Sequence, residues 1–464
     1  MLIYQENALQ KFMYENMEIN PDWEERDFVS YTRKYFQKDN FKILAIGGLR
    51  GTGKTTGLLQ AISGLCDAVY ITAQKGEIED AADYIDFLKK TDANYIIIDE
   101  YSWIQNRKAL DEYLFTAVQN GKRIVITGTE SITLDFLNYS SMIHRVDMVH
   151  VTLFTYDEYC RIYHQDKNKQ SCKAYLQEGG VFREYAITNY DTMRGYIQTA
   201  IIDNLTAYMH GTLETQKAAA LVYAVLYKAV CPSNLRNIPV LTENKLTLDN
   251  FLDTMGIDTE VTFTEGELTQ VADILTQIGV IVRIPNIDVD SPIREQYYVT
   301  NPSITCQLIL AAYQIPEVTN EILGHVFESS CLVHLYYHKL SEHRLYFVNT
   351  TIRDRNKELD GVIVSEGADY VYLIECKFRE QDTISPNATI MSKDIEDMFP
   401  DSTIAGRYVL YNGKPSLKIL GDKSVIFTPM DDEIMDCYYY FDQAVEKLQD
   451  GKQENKKKHH SMSR

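Results

Sequence analysis

Residues 42–56 read Lys42-Ile-Leu-Ala-Ile-Gly-Gly-Leu-Arg-Gly-Thr-Gly-Lys-Thr-Thr56, an apolar run that passes directly into glycines, a lysine and threonines. From Gly48 to Thr55 the order is glycine, four residues, then Gly-Lys-Thr, the pattern of a phosphate-cradling loop between a strand and a helix. Glycines let backbone amides close around phosphates, and the N-terminus of the following helix favours negative charge. The candidate nucleotide-binding residues are therefore Gly48, Arg50, Gly51, Thr52, Gly53, Lys54, Thr55 and Thr56. Lys54 is expected to reach the β- and γ-phosphates, and the Thr55 hydroxyl to ligate Mg²⁺. At average residue frequencies such a match arises by chance in roughly one or two per cent of chains this long.

Outward from this loop, apolar strands alternate with helical segments from Phe41 to about Leu153. The strands are expected at 42–46, 68–72, 95–98, 123–126 and 147–153, which argues for an α/β domain with a parallel sheet covered by helices. The run Tyr95-Ile-Ile-Ile-Asp-Glu100 ends in two carboxylates. Asp99 is the candidate magnesium holder, and Glu100 the candidate base for the water that attacks a γ-phosphate. Thr127 or Thr129, after the next strand, is the candidate reporter of the γ-phosphate. Arg145 is a candidate arginine finger, acting in its own or a neighbouring subunit.

Taken together, Gly48–Thr56, Ile98-Asp-Glu100, Thr127-Gly-Thr-Glu-Ser131, His144-Arg145, Leu153-Phe-Thr-Tyr-Asp-Glu-Tyr159 and Tyr175-Leu-Gln-Glu-Gly-Gly180 resemble a prokaryotic AAA+-type P-loop ATPase family. Its members end in a nuclease-like domain of unknown function. The resemblance implies ATP as the nucleotide; the loop itself reads only phosphates, no base-reading motif is evident, and the residues alone leave the base open. The chain departs from the family pattern at Gly51-Thr52, at His144 and at Val181-Phe182, none of which removes a phosphate-binding group.

The remaining organisation is read from periodicity. Residues 1–40 form a helical lead-in without assigned chemistry, 41–154 the P-loop ATPase domain, 155–212 a helical lid and 213–315 a winged-helix-like middle. Its candidate recognition helix, Glu265–Gln277, contains no Lys or Arg, which disfavours a DNA-reading role. Residues 316–450 form a second α/β unit, and 451–464 a polar tail expected to be disordered.

In that second unit Glu328 lies on a predicted helix, Asp360 in Glu358-Leu-Asp-Gly361, and Glu375-Cys-Lys377 at the end of an apolar strand. This helix, strand, strand order resembles the PD-(D/E)XK core of restriction-endonuclease-like folds. Alternation puts Glu375 and Lys377 on one face of their strand. Asp360 and Glu375, completed by Glu328, are candidate ligands for a second Mg²⁺ or Mn²⁺, with Lys377 orienting the attacking water. Cleavage is a separate question from fold, and a binding or scaffold role for this unit is the competing reading.

Composition bounds the rest. The chain has 464 residues, 45% hydrophobic and 24% charged, with a net charge of −20. That charge opposes loose binding to phosphate backbones, so any nucleic-acid contact is expected to be local. The eight cysteines show no metal-binding spacing and read as reduced thiols. No stretch is long enough for a membrane span, which needs about 20 apolar residues, and no secretory signal is evident, so a cytoplasmic location is expected. Three functions compete: an ATP-hydrolysing protein that controls its nuclease-like domain, a non-enzymatic ATP switch that holds a protein partner, and a DNA-handling ATPase of a mobile or defence system. An arginine finger acting between subunits would require a homo-oligomer.

Overall fold

The computed structural model describes residues 1–19, 23–38, 41–73, 79–128, 145–182, 186–209, 213–235, 238, 241, 246–338, 343–352, 355–379, 389–413, 416–421 and 423–429. Thr129 of the sequence-derived candidates, the expected final helix and the polar tail lie outside these residues. Among the described residues no helix is long and apolar enough to cross a membrane.

Among the described residues eight strands belong to the first part: β1 (Leu2–Gln5), β2 (Ile43–Gly47), β3 (Ala68–Thr72), β4 (Glu79–Asp80), β5 (Tyr95–Asp99), β6 (Ile104–Gln105), β7 (Arg123–Gly128) and β8 (Val146–His150). The main sheet has the order β1-β3-β5-β7-β2-β8. All its pairs are parallel except β1 with β3. Its central strands are buried on both faces, which is why they read as continuous apolar runs. Alternating side chains divide between two layers. Ile43, Ala45, Ile96 and Ile98 meet Tyr84, Leu110 and Leu114 on one face. Leu44, Ile46, Tyr70 and Ile97 meet Leu58 and Leu59 on the other, together with Phe28, Val29 and Phe36.

The N-terminal segment corrects the sequence reading in one respect. Besides helices it contributes β1, which pairs antiparallel with β3, Leu2 opposite Thr72. Four part-exposed residues carry too little alternation to betray a strand. The helix Asp27–Gln37 packs on the P-loop helix Lys54–Ile62, where a Cβ at Gly57 would lie 2.3 Å from the Phe28 ring.

Helices follow from Tyr156. Tyr156–Ile162 begins with a reciprocal cap between Thr155 and Glu158. Lys169–Glu178 and Tyr190–Tyr196 come next, the latter continuing through a π-helical stretch at Ile197–Ile202. Thr215–Val230, Leu248–Thr254 and Glu265–Gln277 then precede the antiparallel hairpin of β9 (Ile281–Pro285) and β10 (Glu295–Val299). Glu265–Gln277 buries Leu268, Val271 and Leu275, and Lys217 pairs with its Glu267 at 2.6 Å. A helix at Pro302–Ala312, capped by Asn301, was not foreseen, because its apolar residues surround it and leave little period to read.

The last part combines the helix Asn320–His338 with β11 (Arg344–Ile352), β12 (Arg355–Val364), β13 (Tyr370–Lys377), β14 (Thr403–Tyr411), β15 (Ser416–Leu420) and β16 (Lys423–Pro429). The sheet order is β11-β12-β13-β14-β16-β15. The short edge strand β15, with exposed Ile419, escaped the sequence reading. One apolar cluster runs from Leu49 through the helical middle, including Leu221, Val271 and Ile309, to Leu332, Ile374 and Leu410. The helical middle and the C-terminal sheet thus share an interior.

Candidate functional site

β2 delivers the chain to Gly48, and Lys54 opens the helix that follows. Between them Gly51 and Gly53 have φ of +82° and +78°, a backbone conformation that costs L side chains energy and glycine nothing. Lys54 is buried, and its Nζ donates to the Gly48 and Leu49 carbonyls, the latter at 3.0 Å.

Because β7 lies between β2 and β5, its end comes between the loop and the Asp99-Glu100 pair. Asp99, 2% exposed, is held by four donors. Thr55 Oγ1 and Tyr70 Oη donate to Oδ2 at 2.8 and 2.6 Å. The Thr127 hydroxyl and the Glu100 N–H, the latter at 3.0 Å, donate to Oδ1. The loop threonine, the carboxylate and the strand-end threonine are thus one connected unit. Tyr70, which sequence reasoning did not name, stays a donor because burial first, and then the Asp99 charge, raise its pKa.

Glu100 takes a left-handed conformation at φ +56°. Its Oε2 accepts from Trp103 Nε1 at 3.2 Å. Burial and then the Asp99 charge raise its pKa, against the opposing pull of Lys54, the Trp103 bond and Arg50. A carboxylate poised in this way beside a phosphate loop suits a general base. Thr55 and Asp99 together present hard oxygen donors suited to Mg²⁺.

Arg145 is not part of this constellation. It immediately precedes β8, whose Val146 pairs with Ile43 at the start of β2, while the loop leaves β2 at its other end. Its guanidinium stacks on Phe115, 4.0 Å from the ring centroid. The sheet therefore rules out contact with this chain's own phosphate loop.

Sequence reasoning also passed over the residues that brace the loop from behind. Arg26 is 6% exposed and forms a two-pronged ion pair with Glu158, at 3.1 and 2.6 Å. Its Nη1 donates to the Thr52 carbonyl at 2.7 Å and to the Thr152 carbonyl at 2.9 Å. Burial tends to raise the Glu158 pKa, but the Arg26 charge and bonds outweigh it and hold the carboxyl below its usual range. Tyr196 Oη donates to the Arg50 carbonyl at 3.0 Å, and the Phe182 N–H to the Gly51 carbonyl at 3.3 Å. No local motif announces Arg26, whose partner Glu158 lies far along the chain.

In the C-terminal sheet the register Gly361 opposite Ile374 brings Asp360 beside the end of β13. Asp360 Oδ2 accepts from the Cys376 N–H at 2.6 Å, and Lys377 Nζ meets Glu375 Oε1 at 2.8 Å. Burial pushes Asp360 up to about 7; the Cys376 N–H opposes the rise and the Glu375 charge adds to it. Asp360, Glu375 and Lys377 are thus brought together at adjoining strand ends, and Glu328 is near enough for its charge to act on Cys376. The expected three-carboxylate metal shell is not formed: among the described residues, no three His, Cys, Asp or Glu side chains are gathered to hold a metal. Asp360 is directed at a backbone amide and Glu375 at a lysine.

Residues 40–160 match the AAA domain family. No protein of curated function matches the chain in sequence. Among solved structures, a Walker-type ATPase of Pyrococcus abyssi is similar at 15% identity, covering 60% of this chain and 94% of that one, with a TM-score of 0.37. Drosophila ORC bound to DNA is similar at 11% identity, covering 62% and 85%, with a TM-score of 0.25. The Thermotoga maritima RuvB Holliday junction branch migration motor is similar at 15% identity, covering 58% and 89%, with a TM-score of 0.25. These three likenesses are too distant to bear on function. The match to the AAA domain family thus falls on the segment that holds the phosphate loop and the Asp99-Glu100 pair.

Proposed function

We propose that the chain binds and hydrolyses ATP, and that its nucleotide state is relayed to the nuclease-like C-terminal unit. The observation that carries the ATPase reading is the connected set of Thr55, Asp99, Thr127 and Glu100 beside the phosphate loop. Lys54 would leave the Gly48 and Leu49 carbonyls for the β- and γ-phosphates. Thr55 and Asp99 would hold Mg²⁺, which when bound supplies charge neutralisation between the phosphates. Glu100 would orient a water and take its proton, with Trp103 fixing the carboxylate. Thr127, bonded to Asp99, would sense the loss of the γ-phosphate. An arginine finger from Arg145 would act only on a neighbouring copy.

The relay is supported by a cleft that Leu49, Leu153 and Thr155 share with Ser330, Val333 and His334 of the helix Asn320–His338. His150, the last residue of β8, stacks on Tyr337 of that helix, with ring centroids 5.2 Å apart and planes at 15°. Glu328 belongs to the same helix. A shift of the loop on hydrolysis thus has a packed route to the C-terminal carboxylates. For that unit the adjacency of Asp360, Glu375 and Lys377 fits nucleic-acid cleavage. Binding of a protein partner there is the competing role.

The deciding experiment measures steady-state ATP turnover, then cleavage of single-stranded and duplex DNA and RNA with and without ATP. Wild type is compared with Lys54→Ala, Glu100→Gln, Asp360→Asn and Lys377→Ala. Turnover unchanged in both Lys54→Ala and Glu100→Gln would sink the ATPase reading. Cleavage lost in both C-terminal variants makes the chain an ATP-controlled nuclease. No cleavage by a protein that hydrolyses ATP makes it a switch.

A further inference from the structure

Five consecutive carbonyls of the phosphate loop accept bonds, the last three of them from residues outside the loop. Gly48 and Leu49 bond to Lys54, Arg50 to Tyr196, Gly51 to the Phe182 N–H and Thr52 to Arg26. A carbonyl and the next residue's N–H share one planar trans peptide and point in opposite directions. Fixing the Thr52 carbonyl on Arg26 therefore turns the Gly53 N–H to the opposite side, and fixing the Arg50 carbonyl on Tyr196 does the same for the Gly51 N–H. Backbone amides are the groups with which such loops hold phosphates.

We infer that Arg26, clamped by Glu158, and Tyr196 are positioning residues that orient the Gly53 and Gly51 amides for the phosphates of the nucleotide. This deepens the ATP-site reading above and rests on it. Arg26 lies before the segment that matches the AAA domain, and Tyr196 lies after it, on the helical side. The guanidinium is suited to the task because its planar fork meets Glu158 with two nitrogens while Nη1 still reaches Thr52 and Thr152. Glu158 in turn is fixed by the reciprocal cap with Thr155 at the start of the first helix after the sheet. The clamp therefore ties the N-terminal segment, the loop and the helical region into one bracket. Movement of the helix Tyr190–Tyr196 would rotate the Arg50 carbonyl and with it the Gly51 amide.

The test uses the full chain and a fluorescent ATP analogue, with tripolyphosphate as a competitor that offers phosphates and no base. Tyr196→Phe removes one hydroxyl and keeps the ring. The double variant Arg26→Met/Glu158→Leu removes the clamp without leaving a lone buried charge. For the double variant the dissociation constant is expected to rise about tenfold, and for Tyr196→Phe about threefold, as expected when hydrogen-bond orientation is lost. Tripolyphosphate should weaken by the same factors. KM should rise by more than kcat falls, because the amides hold phosphate in the ground state as well as in the transition state. Arg26→Lys should not rescue, since one ammonium cannot replace the fork. Folded variants that bind both ligands as wild type does would overturn the clamp; if the double variant fails to fold, Tyr196→Phe decides alone. A wild-type chain that binds neither ligand would overturn the nucleotide reading itself.

Discussion

The Tyr70 hydroxyl and the Thr55 hydroxyl donate to the same oxygen of Asp99, at 2.6 and 2.8 Å. A tyrosine from the neighbouring strand thereby sets the carboxylate that the loop threonine must share when magnesium arrives. Thr127 completes the arrangement on the other oxygen.

Thr127→Val keeps the shape of a fully buried side chain and removes its hydroxyl. Asp99 loses one of four donors, so stability should fall by about 1–3 kcal/mol. ATP should still bind and turnover should drop. Chemical denaturation combined with a phosphate-release assay checks both halves.

Glu100→Gln should leave ATP binding intact and reduce turnover by roughly a hundredfold or more, the usual contribution of a positioned base. The raised pKa adds a stability effect. A carboxyl that burial holds above its ordinary range contributes stability at low pH and loses it as pH rises through the raised value. The variant should therefore have a higher Tm than wild type at pH 7.5. That advantage should vanish below the ordinary glutamate value of 4.5, as scanning calorimetry at the two pH values would reveal.

Asp360, pushed up from 3.8 to about 7, binds a proton in the folded chain that the unfolded chain has already released over that interval. Its contribution is complete below the lower value and is lost as pH rises to the upper one. Asp360→Asn should remove this slope. Relative to wild type, the variant should gain Tm between pH 4 and pH 8; a difference independent of pH would contradict the assignment.

Gly53→Ala meets two obstacles. The left-handed conformation itself costs about 1–2 kcal/mol for an L residue, and the new Cβ would lie 2.3 Å from the Phe182 ring. Combined with Phe182→Ala, the substitution should cost only the first amount. A double-mutant cycle by urea unfolding separates them.

The loop, the Asp99-Glu100 pair and the parallel strands were legible because each is written locally. Strands buried on both faces spell themselves as apolar runs, as in Ile43–Gly47. Asp360, Glu375 and Lys377 were legible as a group because strand alternation and pairing constrain them. What is held by long-range contact was not legible. Arg26 pairs across 132 positions with Glu158, and Tyr196 reaches a backbone carbonyl, a partner that leaves no trace in side-chain identity. β1 and β15 were lost because short edge strands bury too little to enforce alternation. Arg145, a candidate finger for its own or a neighbouring subunit, could not be assigned to one of them from sequence, because order along the chain does not tell which end of a strand a residue occupies.

The apolar cluster from Leu49 to Leu410 also bears on how such a chain can diversify. Units that are exchanged by recombination like beads need sealed surfaces where they join. Here the joint is interior: replacing the C-terminal sheet would uncover Leu332 of the helix Asn320–His338, which packs beside Gly361 of β12. Any substitute would have to bring a matching face in the same event. Change between the C-terminal unit and the helical middle should therefore proceed by paired, compensating substitutions rather than by swapping whole parts.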